Sequence, residues 1–129
     1  MNTELYYLAL TALLTGLLWV PYSLDRIIKN NLGDVAGYPL AQFNQSGWAD
    51  KLIKAHSNAI ENLVVFATLV LVANAAGISS PAIGTAAIVY FWARVTHTVV
   101  YSLAIPWVRT AAFMVGFGAQ LFIAWQILF

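Results

Sequence analysis

Four long apolar stretches limit this chain to a small number of folds. They run over residues 5–24, 55–76, 81–105 and 107–129, and each holds at most one charged residue. A helix needs about 20 mostly apolar residues to cross the hydrocarbon core of a bilayer. The sequence therefore predicts an all-α integral membrane protein, a single domain over residues 1–129 that is built as a four-helix transmembrane bundle.

The composition excludes the other common classes of protein of this length. Only 9% of the 129 residues are charged and 61% are hydrophobic, whereas a soluble domain has roughly 25% and 45–50%. The formal net charge of +1 provides no basic surface, so no nucleic-acid partner is expected. The sequence has no cysteine, which excludes a disulfide scaffold, a thiolate metal site and a cysteine nucleophile.

The connections between the spans predict the topology. Residues 25–50 form a long polar segment, predicted to be a loop with room for a short helix. Gly77, Ser80 and Pro81 are typical of a tight turn, in which the glycine ends one helix, the serine caps the next and the proline is its first residue. Pro21 lies near the end of the first span, where a bundle tolerates a kink. Basic residues flank the first and third loops, which predicts that both loops are cytoplasmic and both termini are outside.

Polar side chains within a span are costly in a bilayer, so their angular positions are informative. At roughly 100° per residue, each of the last three spans has a polar stripe. The stripes are Lys51, Lys54, Asn58, Glu61 and Asn62 on the second span, Tyr90, Arg94, His97 and Tyr101 on the third, and Arg109, Phe113, Gly116 and Gln120 on the fourth. Together they predict a polar cavity open to the cytoplasm, suited to a small zwitterionic ligand that carries a carboxylate.

Depth along the helices predicts an ion pair inside this cavity. Glu61 lies about 10 Å and Arg94 about 16 Å from the same end of the bundle, at the usual helical rise. Neither charge is expected alone in hydrocarbon, so we predict that they pair. His56 projects to nearly the opposite side of its helix and is expected to pack there. One deep acid and one inward histidine are too few ligands for a metal, so no metal site is expected.

Two sequence motifs resemble those of a known family. The sequence KLIKAHSNAIENL, residues 51–63, resembles the second-helix signature of the MAPEG family, the membrane-associated proteins in eicosanoid and glutathione metabolism. Residues 94–101 resemble the third-helix signature of that family, and residues 106–109 resemble the start of its fourth helix. The resemblance covers nearly the whole chain. It implies a bacterial-type member that forms a homotrimer and binds glutathione, a co-substrate, between adjacent subunits near the cytoplasmic face.

The resemblance also implies roles for individual residues. Arg109 corresponds to the arginine that stabilises the glutathione thiolate in enzymatic members. Ser57 and Phe113 stand where some members have an arginine and a tyrosine, and a lysine replaces arginine at position 54. The residues that correspond to glutathione-contacting or supporting positions are Lys54, Asn58, Glu61, Arg94, His97 and Tyr101.

Three functions follow as hypotheses. The resemblance implies a membrane-bound glutathione transferase or peroxidase that acts on lipophilic electrophiles or lipid hydroperoxides. Its expected partners are glutathione, a lipophilic small molecule or lipid, membrane lipids and further copies of this chain. The second hypothesis is a non-catalytic lipid-binding or scaffold protein of the same fold. The third is a small transporter or proton relay built on Glu61, Arg94 and His97, because ionisable residues within spans often mark such pathways.

Overall fold

Helices make up nearly all of the part of the chain that the structure describes, residues 1–37 and 44–129 of a computed structural model. These residues contain no strand. The helices are α1 (Thr3–Leu17), α2 (Trp19–Lys29), α3 (Leu32–Ala36), α4 (Gly47–Ala75), α5 (Pro81–Ser102) and α6 (Pro106–Leu128). The segment Thr3–Lys29, which comprises α1 and α2, and the helices α4, α5 and α6 are the four segments of the described chain that are long and apolar enough to cross a membrane. The predicted all-α membrane fold with four spans is confirmed.

The helices extend further into the polar segment than the sequence predicted. α2 continues to Lys29 and α4 already begins at Gly47, so the predicted loop over residues 25–50 is too long at both ends. The short helix α3 lies between them. Charged side chains at the ends of a span can extend into water, so a helix can continue through charged residues beyond the apolar stretch. Residues 38–43 of the predicted loop lie outside the described residues.

The first span is interrupted near its middle. α1 ends at Leu17 and α2 begins at Trp19. Pro21 has no backbone N–H, so it cannot donate to the carbonyl four residues earlier, that of Leu17. The break between α1 and α2 at Leu18 thus lies close to Pro21, at a position where a bundle tolerates such an irregularity.

Helix α5 forms the middle of the bundle and packs against α1, α4 and α6. The main apolar core lies where α4, α5 and α6 meet, and the Phe66 ring of α4 stacks on the Tyr90 ring of α5 at a centroid distance of 3.9 Å. Small residues let α5 and α6 approach each other closely. A Cβ added at Gly116 would lie 3.7 Å from the Ala93 Cβ and 3.8 Å from the Arg94 Cδ, so the stem of this arginine lies against α6.

Two tight turns connect the last three spans, and both use the same backbone geometry. In the α4–α5 turn, Gly77 has a φ of 71° and the Ile78 N–H donates to the Ala73 carbonyl at 2.8 Å. In the α5–α6 turn, Ala104 has a φ of 61° and the Ile105 N–H donates to the carbonyl five residues earlier at 3.0 Å. In both turns, a single residue just after the helix adopts the left-handed backbone conformation and ends the helix. This conformation favours glycine.

The start of α5 follows the predicted pattern. Ser80 is the N-cap, and its hydroxyl accepts a hydrogen bond from the Ile83 N–H at 3.2 Å, while Pro81 is the first helical residue. Gly77 ends α4 as predicted. We call the end of the bundle that contains this turn and the start of α1 the Glu4 end. We call the opposite end, with the α5–α6 turn and the start of α4, the Arg109 end. Which end faces the cytoplasm stays a prediction.

Candidate functional site

Two adjoining cavities lie at the Arg109 end, and Tyr101 and Arg109 line both. The first has a volume of about 240 Å³ and is lined by Lys51, Lys54, Tyr101, Ala104, Ile105, Pro106 and Arg109. The second has a volume of about 190 Å³ and is lined by Asn58, His97, Tyr101, Arg109, Thr110 and Phe113. The helix start of α4, the helix end of α5 and the helix start of α6 therefore converge on one polar site.

Aromatic rings hold the arginine at the centre of this site. The Arg109 Cζ lies 4.8 Å from the centroid of the Tyr101 ring, which is a cation–π contact. The Tyr101 ring in turn meets the buried His97 ring edge-on at 5.5 Å, and the Phe113 ring lies 6.2 Å from His97. Tyr101 and His97 are one helical turn apart on α5, and Arg109 and Phe113 are one turn apart on α6, so each helix contributes two side chains from one face.

A chain of side-chain amides continues from this site into the bundle. The Arg94 Nη2 donates to the Asn58 Oδ1 at 2.7 Å, and the Asn62 Nδ2 donates to the Asn58 carbonyl at 2.9 Å. The Gln120 Nε2 donates to the Asn62 carbonyl at 3.1 Å. Because Asn58 also lines the second cavity, it connects the buried guanidinium of Arg94 to the site.

The predicted ion pair between Arg94 and Glu61 is not present. Arg94 is only 3% exposed and donates to Asn58, whereas Glu61 lies on an exposed face of α4. The two residues project in different directions because Asn58 and Asn62 occupy the inner edge of the polar stripe and Glu61 its outer edge. Within residues 1–37 and 44–129, no carboxylate pairs with Arg94, and its Nε has no hydrogen-bond partner.

The structure thus brings together most of the predicted site residues. Lys54, Asn58, His97, Tyr101 and Arg109 line the two cavities, and Arg94 reaches them through its hydrogen bond to Asn58. Glu61 lies outside both cavities.

His56 lies away from the site, as its angular position predicted. A hydrogen bond of 2.9 Å joins its Nδ1 to the Tyr22 hydroxyl of α2, and the two rings lie 5.8 Å apart. His56 therefore ties α2 to α4. No three His, Asp or Glu side chains within the described ranges converge closely enough to hold a metal ion.

Sequence reasoning missed several residues that line the cavities. Lys51 was on the polar stripe of the second span and could have been included from that position. Thr110 follows Arg109 and gave no signal of its own. Ala104 and Ile105 line the first cavity through the α5–α6 turn, whose left-handed alanine no pattern in the sequence indicates.

The sequence profile of the MAPEG family matches residues 3–129. The chain therefore belongs to the MAPEG family. Membership supports, in general terms, a glutathione-related transferase or peroxidase role or one in eicosanoid metabolism within a membrane. Neither a curated protein nor a solved structure matches the chain significantly.

Proposed function

We propose that this protein is a membrane-bound, glutathione-dependent transferase or peroxidase that acts on lipophilic electrophiles or lipid hydroperoxides. The observation that carries the proposal is the meeting of two polar cavities at Arg109 and Tyr101 in a chain of the MAPEG family. The cavities offer cations, an amide and a histidine, which are suitable partners for a small peptide with two carboxylates and a thiol.

Arg109 stabilises the thiolate of glutathione. A neighbouring guanidinium lowers the pKa of a thiol below its usual value of about 8.5, so more of the nucleophilic form is present at neutral pH. The Tyr101 ring restricts the orientation of this guanidinium through the 4.8 Å cation–π contact. Arg109 faces both cavities, so a thiol bound at their junction lies beside it.

The remaining site residues bind the peptide part of glutathione. Lys51 and Lys54 in the first cavity supply positive charge for a carboxylate, and Asn58 and His97 in the second supply hydrogen bonds. The buried charge of Arg94 favours an anion nearby, because an isolated charge in a membrane is unfavourable. Asn58 lies between this charge and the cavity, so Arg94 acts through it.

The outer edge of α4 supports the homotrimer as part of this proposal. Lys54, Ser57 and Glu61 are exposed on one face of a helix that is long and apolar enough to cross a membrane. Acyl chains do not satisfy such polar groups, so another subunit has to cover them. Glutathione bound between subunits then meets Glu61, which lies outside the cavities of the single chain.

The lipophilic second substrate reaches the site from the bilayer. Phe113 and Ile105 give the two cavities apolar walls beside Arg109. In the transferase case, the thiolate sulfur bonds an electrophilic carbon and either displaces a leaving group or adds to a double bond that then takes up a proton. In the peroxidase case, the sulfur bonds the terminal peroxide oxygen, the O–O bond breaks, and the other oxygen leaves and takes up a proton to give the alcohol. A second glutathione then reduces the resulting sulfenic acid to the disulfide and water.

A second candidate function is a non-catalytic lipid-binding role. Phe113 supports it, because a hydrocarbon ring at the cavity wall, 6.2 Å from His97, has no hydroxyl with which to assist a thiolate. In that case a lipid would occupy the site without any chemistry that depends on a thiol.

Turnover by the purified protein separates these candidates. Reaction of glutathione with a generic electrophile and with a lipid hydroperoxide is measured for the wild type, for Arg109→Ala and for Lys29→Ala, whose exposed cation lies on α2 and lines neither cavity. The proposal predicts activity that is lost in Arg109→Ala and kept in Lys29→Ala. Lipid binding with no turnover and no thermal stabilisation by millimolar glutathione would support the second candidate.

A further inference from the structure

A buried carboxylate lies at the opposite end of the bundle from the proposed glutathione site. Glu4 is only 2% exposed, and its Oε1 accepts a hydrogen bond from the Ser79 hydroxyl at 2.6 Å. No cation in the described part of the chain pairs with it. Glu4 is the second residue of α1, so it lies where the first span begins, which is where we expect the lipid head groups.

This carboxylate borders an open cavity of about 550 Å³. The start of α1, the α4–α5 turn and the first two turns of α5 form its walls. Gly84 brings α1 and α5 close together, since a Cβ added there would lie 3.1 Å from the Thr3 Cβ and 3.7 Å from the Glu4 Oε2. The second carboxylate oxygen therefore lies against the α5 wall of the cavity, while the first is held by Ser79.

The polar cavity adjoins an apolar groove that runs along α5. Thr85 lines the cavity and also a groove of about 390 Å³ between α5 and α6, whose other walls are Ala82, Ala86, Val89, Ala119 and Phe122. Ile88 likewise lines the cavity and a second groove of about 370 Å³ further along the same two helices. A cavity bordered by one carboxylate, where the first span begins, thus continues into apolar grooves along α5 and α6.

We propose that this combined site binds one membrane lipid with a primary ammonium head group, such as phosphatidylethanolamine. The ammonium donates hydrogen bonds to the carboxylate of Glu4, and one acyl chain lies in the groove between α5 and α6. A bare divalent cation fits less well, because one carboxylate and neutral hydroxyls supply little of the charge and few of the oxygen ligands that such ions need. The adjoining apolar groove favours an amphiphile over any small soluble cation.

Lipid titrations followed by native mass spectrometry test the proposal on the purified full-length protein. The probes are phosphatidylethanolamine, phosphatidylcholine and phosphatidylglycerol with identical acyl chains. A quaternary choline cannot donate a hydrogen bond, and glycerol carries no positive charge. The wild type is expected to bind phosphatidylethanolamine about tenfold more tightly than either of the others, as loss of one charge-assisted hydrogen bond implies. Equal affinity for the three lipids would overturn the proposal without any variant.

Two substitutions then separate a lipid site from a structural contact. Glu4→Gln should remove the preference for phosphatidylethanolamine, whereas Ser79→Ala, which leaves the carboxylate and removes only its intramolecular donor, should keep it. If Ser79→Ala abolishes the preference as fully as Glu4→Gln does, the contact between these residues is structural and the proposal fails.

A third substitution tests the groove. Ala82 is exposed at its entrance, so Ala82→Trp fills the groove from outside the packed core. Binding of all three lipids should weaken severalfold, with the ratio between the ethanolamine and choline lipids unchanged. Unaltered binding would mean that the acyl chain does not lie between α5 and α6.

Discussion

The two ends of the bundle contain turns of the same type but differ in backbone strain and in the hydrogen bonding of their buried polar groups. At the Glu4 end, the left-handed residue of the turn is Gly77, and an added Cβ there would have no neighbour within 4 Å. At the Arg109 end, the same position is held by Ala104, which lines the first cavity. A left-handed alanine carries roughly 1–2 kcal/mol of strain. The strained turn is thus the one that borders the candidate site, as backbone strain often does.

The two ends also differ in how their buried polar groups are hydrogen-bonded. At the Glu4 end, the buried carboxylate receives a hydrogen bond from Ser79 within the same chain. Near the Arg109 end, the Arg94 Nε and the His97 Nδ1 are buried without a hydrogen-bond partner. Buried polar atoms without partners are unfavourable, and proteins keep them mainly where function requires them. At the Glu4 end, the buried polar group thus has a partner within the chain, whereas at the Arg109 end two buried polar atoms have none.

The largest expected effect concerns the thiolate. Arg109→Ala should lower kcat/KM for glutathione-dependent turnover by about 100-fold to 1,000-fold, the range seen when one stabilising donor is removed from developing negative charge. Arg109→Lys should recover only part of the activity, because an ammonium lacks the planar guanidinium that stacks on Tyr101. Steady-state kinetics with a lipophilic electrophile measure both. An Arg109→Ala enzyme within threefold of the wild type would assign the chemistry to another residue.

The next effect concerns the buried charge near the same end. Asn58→Leu removes the acceptor that holds the Arg94 Nη2 at 2.7 Å, and should lower the free energy of unfolding by about 2–3 kcal/mol. The matched control is Thr68→Val on α4, because the exposed Thr68 hydroxyl bonds only to the Val64 carbonyl of its own helix. Thermal unfolding in detergent measures both. Equal losses in the two variants would show that the contact between Arg94 and Asn58 contributes nothing specific.

Substitutions in the two turns should change the free energy of unfolding in opposite directions. Gly77→Ala should lower the free energy of unfolding by about 1 kcal/mol, because alanine is strained at a φ of 71° while its Cβ meets no neighbour. Ala104→Gly should raise it by about 0.5–1 kcal/mol by releasing the same strain. Unfolding midpoints of both variants check the comparison. If both shift in the same direction, the two turns are not equivalent in energy.

The smallest effect tests whether the two ends act separately. Ser79→Ala removes one hydrogen bond to Glu4 and should lower the free energy of unfolding by about 1 kcal/mol. The affinity for glutathione should stay within twofold, because distant sites that share no partner usually behave additively. Isothermal titration with glutathione gives this affinity. A larger change would reveal coupling along α5 between the two ends.

Much of the fold could be predicted from the sequence because a bilayer allows few solutions. The length and apolarity of the spans gave the four helices, and the residues Gly77, Ser80 and Pro81 gave one turn in detail. The ends of α2 and α4 could not be predicted, because charged residues that leave the membrane look the same in a helix and in a loop. The left-handed Ala104 also has no local signal, since its conformation follows from the packing of α5 against α6.

The site was predicted in part for a similar reason. Periodicity predicted the inward face of α5, because residues three or four positions apart lie on the same side of a helix. Periodicity did not predict which part of the polar stripe of α4 faces the bundle, because the stripe is wider than the surface that α4 buries against α5. The inner edge of that stripe, with Asn58, faces Arg94, while the outer edge, with Glu61, faces away from the chain. Only the position of the neighbouring helices decides which edge is buried.

The position of Arg94 has a consequence for the order in which the protein assembles during synthesis. Its stem lies against Gly116 of α6, while its guanidinium bonds to Asn58 of α4. Because α4 and α5 precede α6 in the chain, Asn58 is synthesised before Arg94, and Gly116 only after it. Asn58 is therefore the partner that is available to this charge from the start, and α6 completes the contact around the arginine stem.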